Sequence, residues 1–212
     1  MEEQIAYKTI DLVDIVGTWK APSTPAGSVL LLHMWPADRS SWRAFQDQLF
    51  EHGLASLAID LRGHGQSGGE ASDDARDMQL DVEGALAWLR GRGQIVTGIV
   101  GASIGANLAL HALASHPEIS TAVLLSPGIE YHQVTTQDAA QAISGKQAVL
   151  IVASAGDDQA SADASQVLYD AAATEQKTIR LLQQAGHGTA LFVHEPVLAE
   201  EVINWMIKHK NV

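Results

Sequence analysis

Cysteine is absent from the 212 residues, which removes disulfides, thiolate nucleophiles and Cys-ligated zinc from consideration. Positive charge is scarce: 13 Lys and Arg stand against 25 Asp and Glu, a net charge of −12. A surface of that sign repels phosphate backbones and anionic lipid, so no nucleic acid partner is expected. No apolar run reaches the ~18 residues that a membrane span needs, so none is expected either. The opening MEEQIAYKTI is acidic and lacks the charged-then-apolar pattern of a leader, which points to a cytoplasmic protein. HExxH, EF-hand and P-loop patterns are missing, so neither a metal nor a cofactor is expected. What remains is a chain with 46% apolar and 18% charged residues, long enough for one buried core. Residues 1–212 read as a single domain. Oligomeric state is not legible.

Apolar β-branched runs alternate with amphipathic patterns from residue 28 onward. Two short strands, 9–14 and 15–20, are expected to meet as an edge hairpin. Continuous apolar runs then follow at 28–35, 54–60, 95–100, 121–128, 147–154 and 178–182, as strands covered on both faces require. Helical spacing occupies the intervals: 37–53, with Trp42, Phe45 and Leu49 on one side; 78–90; 106–113; 161–173; and 196–209. Parallel strands need helix-sized returns, so the alternation implies a mostly parallel sheet between helical layers. In such sheets functional loops gather at the carboxyl ends of the strands. His33-Met34-Trp35, the segment 60–67, Ser103, the segment 126–131, Asp157 and His187 all fall there.

The most informative stretch is QIVTGIVGASIGANLALHALASH at 94–116. It reads as strand, sharp turn and helix, with Ser103 at the apex of Gly101-Ala102-Ser103-Ile104-Gly105. A G-x-S-x-G turn lifts the serine hydroxyl off the sheet, and only residues without bulk can flank it. A hydroxyl needs a base to take its proton, and the base needs a group to fix its tautomer and stabilise its cation. Ser103, then Asp157 after a later strand, then His187 in the glycine-flanked AGHG loop supply that set in chain order. The other histidines have plainer readings. His33 suits a structural role under its loop, and His64 sits in a glycine-rich turn of a loop-organising segment. His111 and His116 lack a third partner at metal-ligand spacing. Trp19, Trp42, Trp88 and Trp205 read as packing.

Four segments together resemble the α/β-hydrolase superfamily, in particular its small bacterial carboxylesterase-like and lysophospholipase-like members: GASIG, DLRGHGQS at 60–67, VLIVASAGDD, and AGHG before the final helix. The resemblance implies an α/β-hydrolase fold with helices on both faces of the sheet, an antiparallel N-terminal edge hairpin and, given the short 126–147 interval, no substantial lid domain. It implies Ser103 as nucleophile, His187 as general base and acid, and Asp157 as the triad carboxylate, with Asp158 the neighbour to test. The oxyanion hole would use the backbone N–H of Ile104 and that of Trp35, or of Met34, which stands where relatives carry glycine. Met34, Trp35, Ile104, Ile129 and Tyr131 are expected to wall an open substrate pocket. The implied activity is serine carboxylesterase chemistry on a small-molecule ester of short or medium acyl chain. Thioesterase, amidase or peptidase-like hydrolysis, acyl transfer, and ligand binding with weakened catalysis are the alternatives.

Overall fold

The structure, a computed structural model, describes residues 1–210. It opens with Glu2–Lys8 (β1) and Asp14–Lys20 (β2), which pair antiparallel along their whole length. The expected edge hairpin exists, but its first strand lies earlier than the apolar residues of 9–14 suggest. Thr9 N–H bonds the Val13 carbonyl and Leu12 N–H the Thr9 carbonyl, which closes a turn there. Ile10 and Leu12 project into solvent at 88% and 73% exposure, while Ile5 of β1 is buried. Apolar side chains in a tight turn have nothing to pack on, so residue type alone misplaces the strand.

Ser28–Leu32 (β3) runs through a 3-10 turn, Arg39–Trp42, into Arg43–Glu51 (α1). The expected single helix over 37–53 is thus split, and Asp38 caps the turn by accepting Ser40 N–H at 2.7 Å. Ala55–Ile59 (β4), Met78–Gly91 (α2), Val96–Ala102 (β5) and Ile104–Ser115 (α3) follow. Then come Thr121–Leu125 (β6), a short hairpin of Glu130–Tyr131 (β7) and Val134–Thr135 (β8), and Gln137–Ala142 (α4). Ala148–Ser154 (β9), Gln159–Ala171 (α5), Lys177–Leu182 (β10), Ala190–His194 (α6) and Val197–Lys208 (α7) complete the described chain. The β7–β8 hairpin and α6 were not anticipated; both are too short for a periodic signal.

Among the described residues, eight strands form one sheet in the order β1-β2-β4-β3-β5-β6-β9-β10, parallel from β4 to β10 and antiparallel at β1 and β2. Every residue of β3, β4, β5, β6 and β9 is buried, because helices cover both faces. One face packs Met78, Val82, Leu86 and Leu89 of α2 with Leu108, Ala109 and Ala112 of α3. The other packs Trp42, Phe45 and Leu49 with Leu198, Val202 and Met206 of α7. Each large aliphatic side chain buried this way contributes roughly 1.5–3 kcal/mol. The interval between β6 and β9 holds only the hairpin and α4, and is sewn to α3. Asn107 Nδ2 donates to the Val134 carbonyl at 2.8 Å, and His111 Nε2 to that of Thr135 at 2.6 Å. Among the described residues there is no large lid. Among the described residues, no helix is long and apolar enough to cross a membrane.

Candidate active site

Ser103 stands between β5 and α3 at φ 54° and ψ −119°, a conformation that a side chain rarely adopts. The two glycines around it are required by backbone contact. A Cβ on Gly101 would sit 2.0 Å from the Gly105 carbonyl oxygen, and one on Gly105 would sit 2.3 Å from that of Leu32. Strand, helix and the neighbouring β3 therefore meet without side chains between them. Ser103 N–H donates to the Leu125 carbonyl at 2.8 Å, which ties the apex to β6. Ile104 opens α3, so its N–H has no intrahelical acceptor and belongs to the positive end of the helix. The Ile104 side chain is only 1% exposed and lies in the core. It does not wall a pocket as expected, and the residue offers the site its backbone alone.

His187 donates from Nδ1 to Asp158 Oδ2 at 2.7 Å, which leaves the Nε2 lone pair free to accept a proton. The carboxylate beside the imidazole is thus Asp158, and the expectation of Asp157 is corrected. Asp157 is occupied elsewhere: the Ser154 hydroxyl donates to its Oδ1, and Gly186 N–H to its Oδ2 at 3.0 Å. These bonds, the Ser154 one foremost, hold its carboxyl below the usual carboxylate range. Asp158 also caps α5, accepting Ser161 N–H at Oδ1 over 3.4 Å.

Three backbone N–H groups flanking His187 end on side chains from strand exits. Ala185 donates to Ser154 Oγ at 2.9 Å, Gly186 to Asp157, and Gly188 to Ser126 Oγ at 3.0 Å. Ser126 is buried and itself has a positive φ of 51° at the end of β6. Sequence reasoning gave neither Ser126 nor Ser154 a role. The available signal was a hydroxyl closing each of two apolar runs, TAVLLS and VLIVAS.

On the opposite side of Ser103, His33 underlies the Met34–Trp35 turn as expected. Its Nε2 accepts Leu61 N–H at 3.0 Å, so Nδ1 carries the proton and donates to the Met34 carbonyl at 2.9 Å. Burial lowers its pKa to about 4, so the ring is neutral. The Trp35 ring stacks on His132 at 4.7 Å and meets His64 edge-on at 4.6 Å, while Met34 Sδ fills the space beside Gly188. The 60–67 segment is organised by Asp60, whose Oδ1 accepts Arg39 N–H at 2.8 Å and Oδ2 accepts Gln66 N–H at 2.7 Å, with an ion pair to the Arg39 guanidinium. Arg62 pairs with Asp81 and Asp11 at 2.8 Å each.

Tyr131 completes the surroundings. Its hydroxyl lies 3.0 Å from Ser161 Oγ, and its ring meets that of His187 edge-on at 6.3 Å. Ile129, further along the same loop, is 36% exposed. Among the described residues no cluster of His, Asp or Glu is arranged to hold a metal ion.

A protein-family model described as alpha/beta hydrolase fold matches residues 27–150, while no curated protein matches the sequence. Solved structures superpose over almost the whole chain. An esterase of Pyrococcus furiosus is similar at 19% identity and a TM-score of 0.86, over 99% of this chain and 93% of that one. An α/β hydrolase from Penicillium sp. sh18 gives 15% identity and a TM-score of 0.86, covering 99% of both. A cold-adapted esterase from an Arctic intertidal metagenomic library gives 18% identity and a TM-score of 0.80, over 99% of this chain and 94% of that one. Those identities carry fold alone. The matched family model spans more than half of the sequence and includes the Ser103 turn, and the chain belongs to the α/β-hydrolase fold family.

Proposed function

We propose that the protein is a serine hydrolase of carboxylic esters, with Ser103 as nucleophile, His187 as base and acid, and Asp158 as the group that orients the imidazole. The observation that carries this reading is the 2.7 Å His187–Asp158 pair, presented on the same sheet edge as a serine held at φ 54°. In the cycle, His187 Nε2 takes the Ser103 proton as Oγ attacks the ester carbonyl. The oxyanion is held by the Ile104 N–H and by one from the Met34–Trp35 turn, whose shape His33 fixes. The imidazolium, stabilised by Asp158, returns its proton to the departing alcohol. Water then enters by the same route and releases the acid.

Short or medium acyl chains are favoured because, among the described residues, no lid domain extends the walls that Trp35, Met34, Ile129 and Tyr131 would form. Thioesters and amides could enter the same cycle, so matched ester, thioester and amide substrates rank the three. Ser103→Ala is expected to lower ester kcat by at least about 10³-fold while leaving the thermal midpoint within a few degrees. Turnover within about tenfold of the parent, from a protein free of contaminating esterase, contradicts the assignment.

A further inference from the structure

Tyr131 has no part in the triad, yet its hydroxyl is held where the reaction takes place. The phenol oxygen lies 3.0 Å from Ser161 Oγ, and the Ser103 hydroxyl is near enough to act on it. The ring is seated against Gly128, where a Cβ would stand 2.7 Å from its Cε2 and 2.8 Å from its Cζ. Gly128 is itself fixed: its N–H donates to Asn107 Oδ1 at 3.1 Å, and its carbonyl accepts the Thr136 hydroxyl at 2.8 Å. A phenol so anchored loses little further freedom when it engages a substrate.

Its place relative to the reacting carbonyl follows from the sheet order. The exits of β3 and β6 lie on opposite sides of β5. The oxyanion points toward Ile104 N–H and the β3-side turn, and the leaving oxygen toward His187. Tyr131 comes from the β6 side and stands edge-on to the His187 ring at 88°. It therefore borders the leaving group and not the oxyanion.

We propose that the Tyr131 hydroxyl hydrogen-bonds the departing alcohol oxygen, which extends the substrate class to esters of unactivated aliphatic alcohols. This rests on the serine-hydrolase reading above. As the acyl C–O bond breaks, the electron pair passes to the alcohol oxygen and the proton on His187 Nε2 follows. Tyr131 keeps its own proton and donates a hydrogen bond to the developing charge. With the Ser161 hydroxyl as donor in that pair, the Tyr131 O–H is free to point at the substrate. Burial raises the phenol pKa, which favours the protonated donor.

The test is kcat/KM, which reports acylation, on p-nitrophenyl, trifluoroethyl and ethyl acetate for the parent, Tyr131→Phe and Ser161→Ala. The acyl group is common, so only the leaving group varies. For Tyr131→Phe the loss on ethyl acetate is expected to exceed that on p-nitrophenyl acetate by roughly 10- to 100-fold, the worth of a hydrogen bond to a charged oxygen. Ser161→Ala is expected to show the same trend at smaller amplitude. Equal losses across the series, or none, overturn the proposal while leaving the hydrolase reading in place. A parent protein that turns over none of the three esters overturns both.

Discussion

Replacing His33 by glutamine is expected to flatten the acid limb of the stability curve. In the folded protein His33 is fully buried, with Nε2 committed as acceptor to Leu61 N–H. A proton on Nε2 would abolish that acceptor and place a charge in the core. Its folded pKa of about 4 lies below the 6.5 of an unhindered imidazole, so between those values the unfolded chain binds more protons. The contribution is complete above pH 6.5 and is lost as pH falls toward 4. At 1.36 kcal/mol per pKa unit, the whole excursion amounts to about 3 kcal/mol, of which about 2 kcal/mol falls between about pH 7 and about pH 4.5. The carboxylates whose pKa values are lowered, among them Asp11, Asp38 and Asp157, titrate below this window, and His209 is common to both proteins. Glutamine can still accept from Leu61 N–H. Urea unfolding at the two pH values is therefore expected to show the parent losing roughly 2 kcal/mol more than His33→Gln, whatever their absolute stabilities. Parallel losses refute the assignment of a buried neutral ring.

The two adjacent aspartates are expected to separate cleanly. Asp158→Asn lowers kcat by about 10³- to 10⁴-fold, whereas Asp157→Asn keeps kcat within about tenfold and lowers the thermal midpoint. The reverse ranking returns the acid to Asp157. Gly105→Ala drives a Cβ onto the Leu32 carbonyl and is expected to cost about 2–3 kcal/mol or to prevent folding, so an unchanged denaturation midpoint contradicts the packing at the elbow. Ser126→Ala leaves the buried Gly188 N–H unpaired, a loss of about 1–3 kcal/mol, with increased amide exchange at residues 186–188 as its local signature.

The sheet, its helical cover and the serine apex were legible because each has a local signal: continuous apolar runs, helical spacing, and glycines two residues either side of Ser103. The carboxylate that pairs with His187 was legible only to within one residue. Asp157 and Asp158 are adjacent, and what separates them is that Ser154 and Gly186 capture Asp157. Ser154 and Asp157 are three apart, so the local half of that capture is the turn spacing of a side-chain bond. Asp158 followed by Ser161 has the pattern of a helix cap. The Gly186 half joins residues 29 apart, and the Ser126 bond to Gly188 joins residues 62 apart. Contacts at that separation leave no periodicity for a sequence to display. The first strand was missed for a related reason: Ile10 and Leu12 have strand-forming character, but the turn bonds of Thr9 decide their fate.

In the proposed mechanism the Ser103 hydroxyl is activated by a His187 imidazole oriented by Asp158. Incubation with a fluorophosphonate, followed by intact mass and peptide mapping, tests it in one step. A single adduct on Ser103, formed at a rate that Asp158→Asn depresses far more than Asp157→Asn, is the predicted result. An adduct on another residue, or no adduct on folded protein, contradicts the account.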